Sequence, residues 1–442
     1  MPLWERHESR VAAALIIGSS IGLAGCGDQG ASLKDNPGLA LVAVFLLVGA
    51  AYIAADVFVD WLEERFLILS GVEYLLLGVI LGQALPGIRD VESLQPIFPV
   101  IALTTGWLGL LRGTELRIHE VRGAPDGLGT AMLLQLVVPG LLVGLIAYFA
   151  FEVNAMIAAL LGCVAAAHSS EPFTVLSARY QVFGPVASLV EKASRLGDVL
   201  VILAFGLVFC VFHEGTPGAP TLNWWQWTEV TLVLGAGLGL LSRPFVAEGQ
   251  STHARFLALV GIIFFASGAA YFLALSALMV NLILGIVLVN LSAAGQAVRS
   301  TLRDTERPMT IVLFVIAGAL VRPAPVLSVA IGFFAFIVLR ALGSMLAARI
   351  TALRTALRPD LHRGFVAQSA VVVAMAVTFR IVVEGELVDV AYIVILLSVV
   401  FHGLLGPRLL RGLLADAGGL MVREDVEPPV GPAPESGAAE VS

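Results

Sequence analysis

Residues 163–176 read CVAAAHSSEPFTVL, which sets Glu171 and Pro172 inside a run otherwise apolar enough to cross a membrane. A carboxylate near the middle of a bilayer costs at least ~2.5 kcal/mol. Proline removes a backbone donor, and its ring disfavours helix at the residue before it. The stretch therefore predicts a membrane helix broken at depth, with a charged side chain at the break. Further along, RLGDVLVILAFGLVF (195–209) poses the same question through Asp198. Asp198 lies about twelve residues into its apolar run, or ~18 Å at 1.5 Å per residue, near the midplane.

Composition agrees with a membrane setting. The 442-residue chain is 58% hydrophobic and 13% charged, with a mean hydropathy of +0.93. Soluble globular domains carry about twice that share of charge. Apolar blocks of about 17 to 25 residues match the thickness of a bilayer crossed as helix, and the alternating polarity of a transmembrane barrel is absent. The fold class is all-α and polytopic. Thirteen spans are predicted at about 38–56, 66–85, 97–112, 128–151, 154–176, 186–213, 226–243, 254–272, 275–294, 308–323, 327–349, 364–382 and 386–405. The chain divides into an N-terminal signal or anchor segment (1–37), a thirteen-helix domain (38–410) and an acidic, disordered cytoplasmic tail (411–442). Nucleic acid is excluded as a partner, because Lys and Arg form no cluster interleaved with aromatics. Cys26, Cys163 and Cys210 have neither metal spacing nor a disulfide pattern. No nucleophile and base share one depth, so neither an enzyme nor a cofactor is expected.

Loop charges orient the chain, since Lys and Arg concentrate on the cytoplasmic side. Loops after odd-numbered spans, together with the tail, hold seventeen, from Arg65, Arg112 and Arg117 to Arg408, Arg411 and Arg423. The other side holds four: Lys34, Arg89, Arg322 and Arg380. The C-terminus is thus predicted cytoplasmic, in a bacterial cytoplasmic membrane, and Trp224, Trp225 and Trp227 fall at the outer interface. At the N-terminus, LAGC (23–26) resembles the bacterial lipoprotein processing box, which makes Cys26 a lipidation candidate and membrane lipid a partner. An ordinary signal-like anchor is the alternative.

Intramembrane charges mark ion paths when they face water or one another. Glu191, Lys192 and Arg195 lie near the cytoplasmic start of span six, where long side chains snorkel, and Glu73 is near a mouth. Glu171 and Asp198 are deeper. With Ser170 and the free carbonyls of a broken helix they offer hard oxygen ligands for a small cation. The same carboxylates bind protons, so cation and proton compete for one site. The bland alternative is a structural pairing of both with Arg340. His168, three residues before Glu171, shares its helix face and is an accessory candidate.

These residues resemble the monovalent cation/proton antiporter superfamily, in its sodium/proton exchanger branch. SSEP (169–172) is similar to the branch's Ala-Thr-Asp-Pro, with Glu171 at the Asp and Ser170 at the Thr. EKASRLGD (191–198) is similar to Glu-Gly-Glu-Ser-Leu-Leu-Asn-Asp and keeps Glu191, Ser194 and Asp198. WLGLLRGTELRIHEVRG resembles the Phe-x-x-Gly-Leu-Glu-Leu stretch, with Glu115 as its Glu, and IVLRALGSMLAARI places Arg340 on the family's membrane arginine. The departures are Gly197 for the Asn or Asp, Ala193 for the second Glu, and Gln368-Ser369 for an Arg-Gly, unless Arg363-Gly364 takes that place.

The resemblance implies two inverted repeats with broken spans five and twelve crossing. Core helices 128–213 and 327–405 would move against a dimerisation scaffold formed by the rest, in a homodimer. It implies a secondary transporter that exchanges a monovalent cation, Na+ first and K+ or Li+ next, for protons by alternating access. Asp198, Glu171, Ser170 and Ser194 would bind the ion, and Arg340, deprived of its usual partner, would lean on Glu171 or Asp198. His168, Glu191 and Gln368 are accessory. A missing second carboxylate favours electroneutral exchange. The alternatives are a non-transporting sensory or scaffold relative and, third, a channel.

Overall fold

The computed structural model describes residues 71–84, 97–117, 127–213, 222–246, 251–292, 294–355 and 357–422. The first predicted span, the N-terminal segment with Cys26, and the tail from 423 lie outside them. Seven helical stretches among the described residues are long and apolar enough to cross a membrane, and shorter apolar helices accompany them.

One set of helices carries the two breaks. Helices α1 (Val72–Ala84) and α2 (Phe98–Glu115) come first, then the uninterrupted α3 (Leu128–Ala150). Predicted span five is two pieces, α4 (Ala155–Ala166) and α5 (Glu171–Arg179), and α6 (Pro185–Val211) follows. Asn154 starts α4 by accepting the Met156 amide, and Pro172 sits in the first turn of α5, where its missing N–H costs nothing. In the second half, α12 (Val326–Arg354) is the long helix and α14 (Glu386–Asp416) the last. Between them a 3₁₀ turn (Leu361–Phe365) and α13 (Ala370–Val382) form the broken span twelve. No proline marks this second break.

The breaks at 167–170 and 366–369 meet. The Ser169 amide donates to the Ala367 carbonyl at 3.0 Å. Gln368 Nε2 donates to the Val164 carbonyl at 3.0 Å, and Ser398 of α14 donates to the Gln368 Oε1 at 2.8 Å. In each break a serine accepts an amide at the start of the next helix: Ser169 Oγ accepts the Glu171 amide and Ser369 Oγ accepts the Val371 amide. Ala-His-Ser (167–169) and Ala-Gln-Ser (367–369) are thus equivalent turns of two repeated units.

The remaining helices are α7 (Trp224–Ser242), α8 (Thr252–Phe272), α9 (Ala277–Leu291), α10 (Gly295–Asp304) and α11 (Glu306–Ala319), which pack with α1 and α2. Lipid tails are as apolar as leucine, so close backbone approach rather than hydrophobic collapse holds such helices together. Gly109 and Gly113 of α2 lie against the backbone of Leu278, Leu282 and Gly285 of α9, and Gly78 of α1 lies against Val315 and Gly318 of α11.

Three local expectations differ. The loop after span nine contains α10, a polar helix whose Val298, Thr301 and Leu302 face inward at helical spacing. Trp227 is buried and stacks on His213 at 3.8 Å, whereas Trp224 and Trp225 are exposed as an interface requires. The last helix runs to Asp416, past the predicted boundary at 410, because Leu410, Leu413 and Leu414 pack into the core. Beyond it Leu420–Val422 pairs antiparallel with Tyr180–Val182.

Gly113→Ala should cost about 1–3 kcal/mol through forced overpacking, because its Cβ would meet the Leu282 carbonyl. Gly237→Ala, with open space at its Cβ, should be neutral or stabilise by roughly 0.5–1 kcal/mol. Thermal unfolding of the two variants in detergent checks both.

Candidate ion-binding site

Asp198 sits on α6 opposite the crossing, with its carboxylate buried. Ser369 Oγ donates to Oδ1 at 2.9 Å. The first turns of α5 and α13 begin beside it, so their free amides and dipole ends favour a negative charge there. The second oxygen, Oδ2, is 3.2 Å from Arg112 Nε. Neither of those two buried atoms has an aligned hydrogen bond.

Arg112 is the centre of a cluster. Its guanidinium is 3% exposed and reaches Glu306 Oε1 at 2.9 Å, Glu115 Oε2 at 3.3 Å and Glu171 Oε1 at 4.0 Å. Arg303 Nη2 lies 3.5 Å from the other Glu115 oxygen. A cavity of about 560 Å³ is lined by Arg112, Glu115, Ser170, Glu171 and Glu306. Asp198 is not among its lining residues and meets it only through Arg112. Water or a hydrated ion entering the cavity therefore meets Glu171, Glu306 and the guanidinium on its wall.

The other candidates occupy distinct places. Ser170 forms the N-cap of α5 at the cavity wall. Ser194 is buried on α6 one turn before Asp198. Glu191 pairs with Arg195 on the cavity wall. Arg340 does not lean on Glu171 or Asp198. It donates from Nε to the Ala165 carbonyl at 3.1 Å, from Nη1 to Val366 at 2.8 Å, and from Nη2 to Ala167 at 2.7 Å and Phe365 at 3.4 Å. These are the orphan carbonyls at the ends of the two broken segments, where a cation is electrostatically favoured. Gln368 serves the same break through Val164.

Gly197 has a local explanation. A Cβ there would collide with the imidazole of His168. The ring lies between α4 and α6, with Nδ1 3.1 Å from the Ala166 carbonyl and Nε2 3.4 Å from the Ala193 carbonyl. The histidine and the glycine are thus one exchange of volume: the side chain comes from the break instead of from α6.

Arg112, Ser369 and Glu306 escape the sequence reading. The apolar window of span three ends at Arg112, and a charge at a window's edge is read as loop. Glu115, three residues on and thus on the same helical face, was the available signal that the helix continues. Ser369 was visible only as part of a departure from the family pattern.

Gly197→Ala should destabilise by about 1–3 kcal/mol, and the loss should be largely recovered in Gly197→Ala/His168→Ala, where the ring is gone. Arg340→Lys should lower thermal stability nearly as much as Arg340→Met, since one ammonium cannot serve four carbonyls in two chain segments. Unfolding of the purified variants in detergent reads each effect.

The transmembrane model of sodium/hydrogen exchangers matches residues 61–412. The fold is similar to that of MjNhaP1, a sodium proton antiporter of Methanocaldococcus jannaschii, in a structure at pH 8, with a TM-score of 0.62 and 18% identity over 85% of this chain and 99% of that one. A second structure of the same antiporter, from electron microscopy, gives a TM-score of 0.60 at 16% identity over 85% and 98%. No curated protein matches. With its family match spanning both broken helices and the Asp198 cluster, the chain belongs to the sodium/hydrogen exchanger family, a family of integral membrane transporters.

Proposed function

We propose that the chain exchanges a monovalent cation, Na+ first and K+ or Li+ next, for protons, by alternating access of a site at Asp198. The observation that carries this is the Asp198 carboxylate itself. It is buried at the crossing of two broken helices, fixed through one oxygen by Ser369, and left without a hydrogen bond at the other. Such an oxygen accepts either a proton or a cation. Glu171 and Ser170 on the cavity wall supply further hard oxygen ligands on the way in. Since one buried carboxylate takes one cation or one proton, the exchange is electroneutral.

The distribution of Lys and Arg supports a bacterial cytoplasmic membrane with the C-terminus, and with it the mouth beside Arg303, on the cytoplasmic side. Membership of the family supports a homodimer through the scaffold helices. A second reading, a non-transporting relative that senses ions or protons, is favoured by the guanidinium already seated at Asp198.

Reconstituted protein should collapse an imposed pH gradient on addition of one alkali cation, and Asp198→Asn should abolish this. Competition at one carboxylate fixes the sign of the pH dependence. Tenfold more cation displaces the proton at tenfold higher proton concentration, so the pH of half-maximal exchange should fall by roughly one unit. A wild-type protein that leaves the gradient untouched for Na+, K+ and Li+ between pH 5 and 9 would instead support the sensor.

A further inference from the structure

Arg112 and Asp198 stand on helices that the exchange reading assigns to different bodies, scaffold and core. Arg112 belongs to α2, whose Trp107, Leu110 and Leu111 are buried with residues of α8 and α9 in one apolar cluster. Asp198 belongs to α6, whose Leu189, Val190 and Ala193 are buried with α5, the 3₁₀ turn and α14 in another, while Leu108 of α2 and Val199 and Ile202 of α6 share the central cluster along which the two helices meet. The guanidinium also touches Glu115 and Glu306, and both of these lie on the body of α2, at the end of α2 and the start of α11. One cation therefore has two partners on the core side, Asp198 at 3.2 Å and Glu171 at 4.0 Å, and two on its own side, Glu306 and Glu115.

We propose that Arg112 is a tethered competitor for the transported cation and a latch between core and scaffold. With the site empty, the guanidinium holds the ion's place at Asp198 and pins the core. A cation or proton arriving at Asp198 neutralises the carboxylate, Arg112 falls back on its two aligned bonds to Glu306 and Glu115, with Glu171 no nearer than 4.0 Å, and the loaded core is released. This rests on the exchange reading above.

Three observations support it. Arg112 lines the cavity and Asp198 does not, and its Nε stands 3.2 Å from Asp198 Oδ2, so an ion binding that oxygen from the cavity takes the place the guanidinium holds. Its contact with Asp198 is the unaligned one, with Nε and Oδ2 both lacking a hydrogen bond, whereas Nη2 makes an aligned 2.9 Å bond to Glu306 and Nη1 a 3.3 Å bond to Glu115. The grip on Asp198 is the easier one to release. Around the cavity and Asp198 five carboxylates, Asp198, Glu115, Glu171, Glu191 and Glu306, face four arginines, Arg112, Arg195, Arg303 and Arg307, and this excess of one negative charge leaves room for a further cation. An arginine suits the task because it stays charged and cannot itself carry the proton.

The latch makes a signed prediction. A carbodiimide labels buried carboxyl groups, and a cation bound at Asp198 protects it, so the half-protecting concentration of Na+ or Li+ reads binding without flux. Arg112→Gln should lower that concentration at least about tenfold, the scale on which one close opposite charge alters a carboxylate's occupancy. Glu306→Gln should raise it several-fold, because Arg112 loses an alternative partner. Arg112→Lys should stay near wild type. In liposomes, Arg112→Gln should also let the pH gradient decay faster without any alkali cation, since the empty core is no longer pinned. Unchanged or weaker protection in Arg112→Gln, or a shift of both variants in the same direction, would overturn the latch. So would the absence of protection by either cation in wild type and Arg112→Gln alike. Protection that shifts as described in a wild-type protein without cation flux would sink the exchange reading, and the latch with it, and leave Arg112 as a competitor for a cation that is bound but not carried.

Discussion

Two helices that stop at membrane depth leave carbonyls that water cannot reach, and the side chain of Arg340 is what makes that tolerable. An unsatisfied peptide group in hydrocarbon costs several kcal/mol. Arg340 serves four such carbonyls, two from each break. Its planar fork has the five donors this needs, and its charge lies where two helix dipoles present their negative ends. Gln368 and the Ser169 amide close the remaining gap between the two breaks. The crossing is thereby fixed as one unit, with its C-terminal ends gathered on Arg340.

That arrangement decides what the opposite ends can do. Since the carbonyl ends are neutralised by Arg340, the amide ends of α5 and α13 are left for anions, and the two nearby carboxylates are Glu171 and Asp198. Ser369 connects the two halves of this division, because its hydroxyl accepts the Val371 amide and donates to Asp198. The unbroken α6 then holds Asp198 at a constant depth. A Cβ at residue 197 beside it would meet the His168 ring, which already fills that volume. The departures at Gly197 and Gln368 are local substitutions of one packing solution for another, and the carboxylate between the broken helices is kept.

Much of this was legible in the residues alone. The cost of Glu171 and Asp198 in a bilayer identified both, and Pro172 identified the first break. The second break lacks a proline, and its place came only from resemblance. Helix α10 was hidden because a polar ten-residue segment between spans reads as loop unless its inward Val298, Thr301 and Leu302 are read at period 3.6. Arg112 was hidden for a related reason: a buried arginine is expensive, so sequence logic moves it to the membrane edge. Burial is tolerable here because carboxylates come from α2, α5, α6 and α11, four segments whose convergence no local pattern announces.

A buried cluster of this kind is weak evidence for stability. Well-packed apolar residues in place of a buried ion pair are often neutral or stabilising by 1–4 kcal/mol, whereas removing one partner alone costs about 3–5 kcal/mol. Nothing in the packing of α2 against α9 requires a charge at residue 112, since that contact is made by glycines and leucines. The cluster is also placed where a purely structural pair would be a liability, beside a cavity of about 560 Å³ from which ions can compete for its members. Its geometry is uneven as well: the guanidinium is bonded to the scaffold glutamates and only adjacent to the core aspartate. A network built for rigidity would align its most buried contact best. Here the most buried contact, at Asp198, is the one left unaligned, as it must be if that carboxylate is to be surrendered and regained in every cycle.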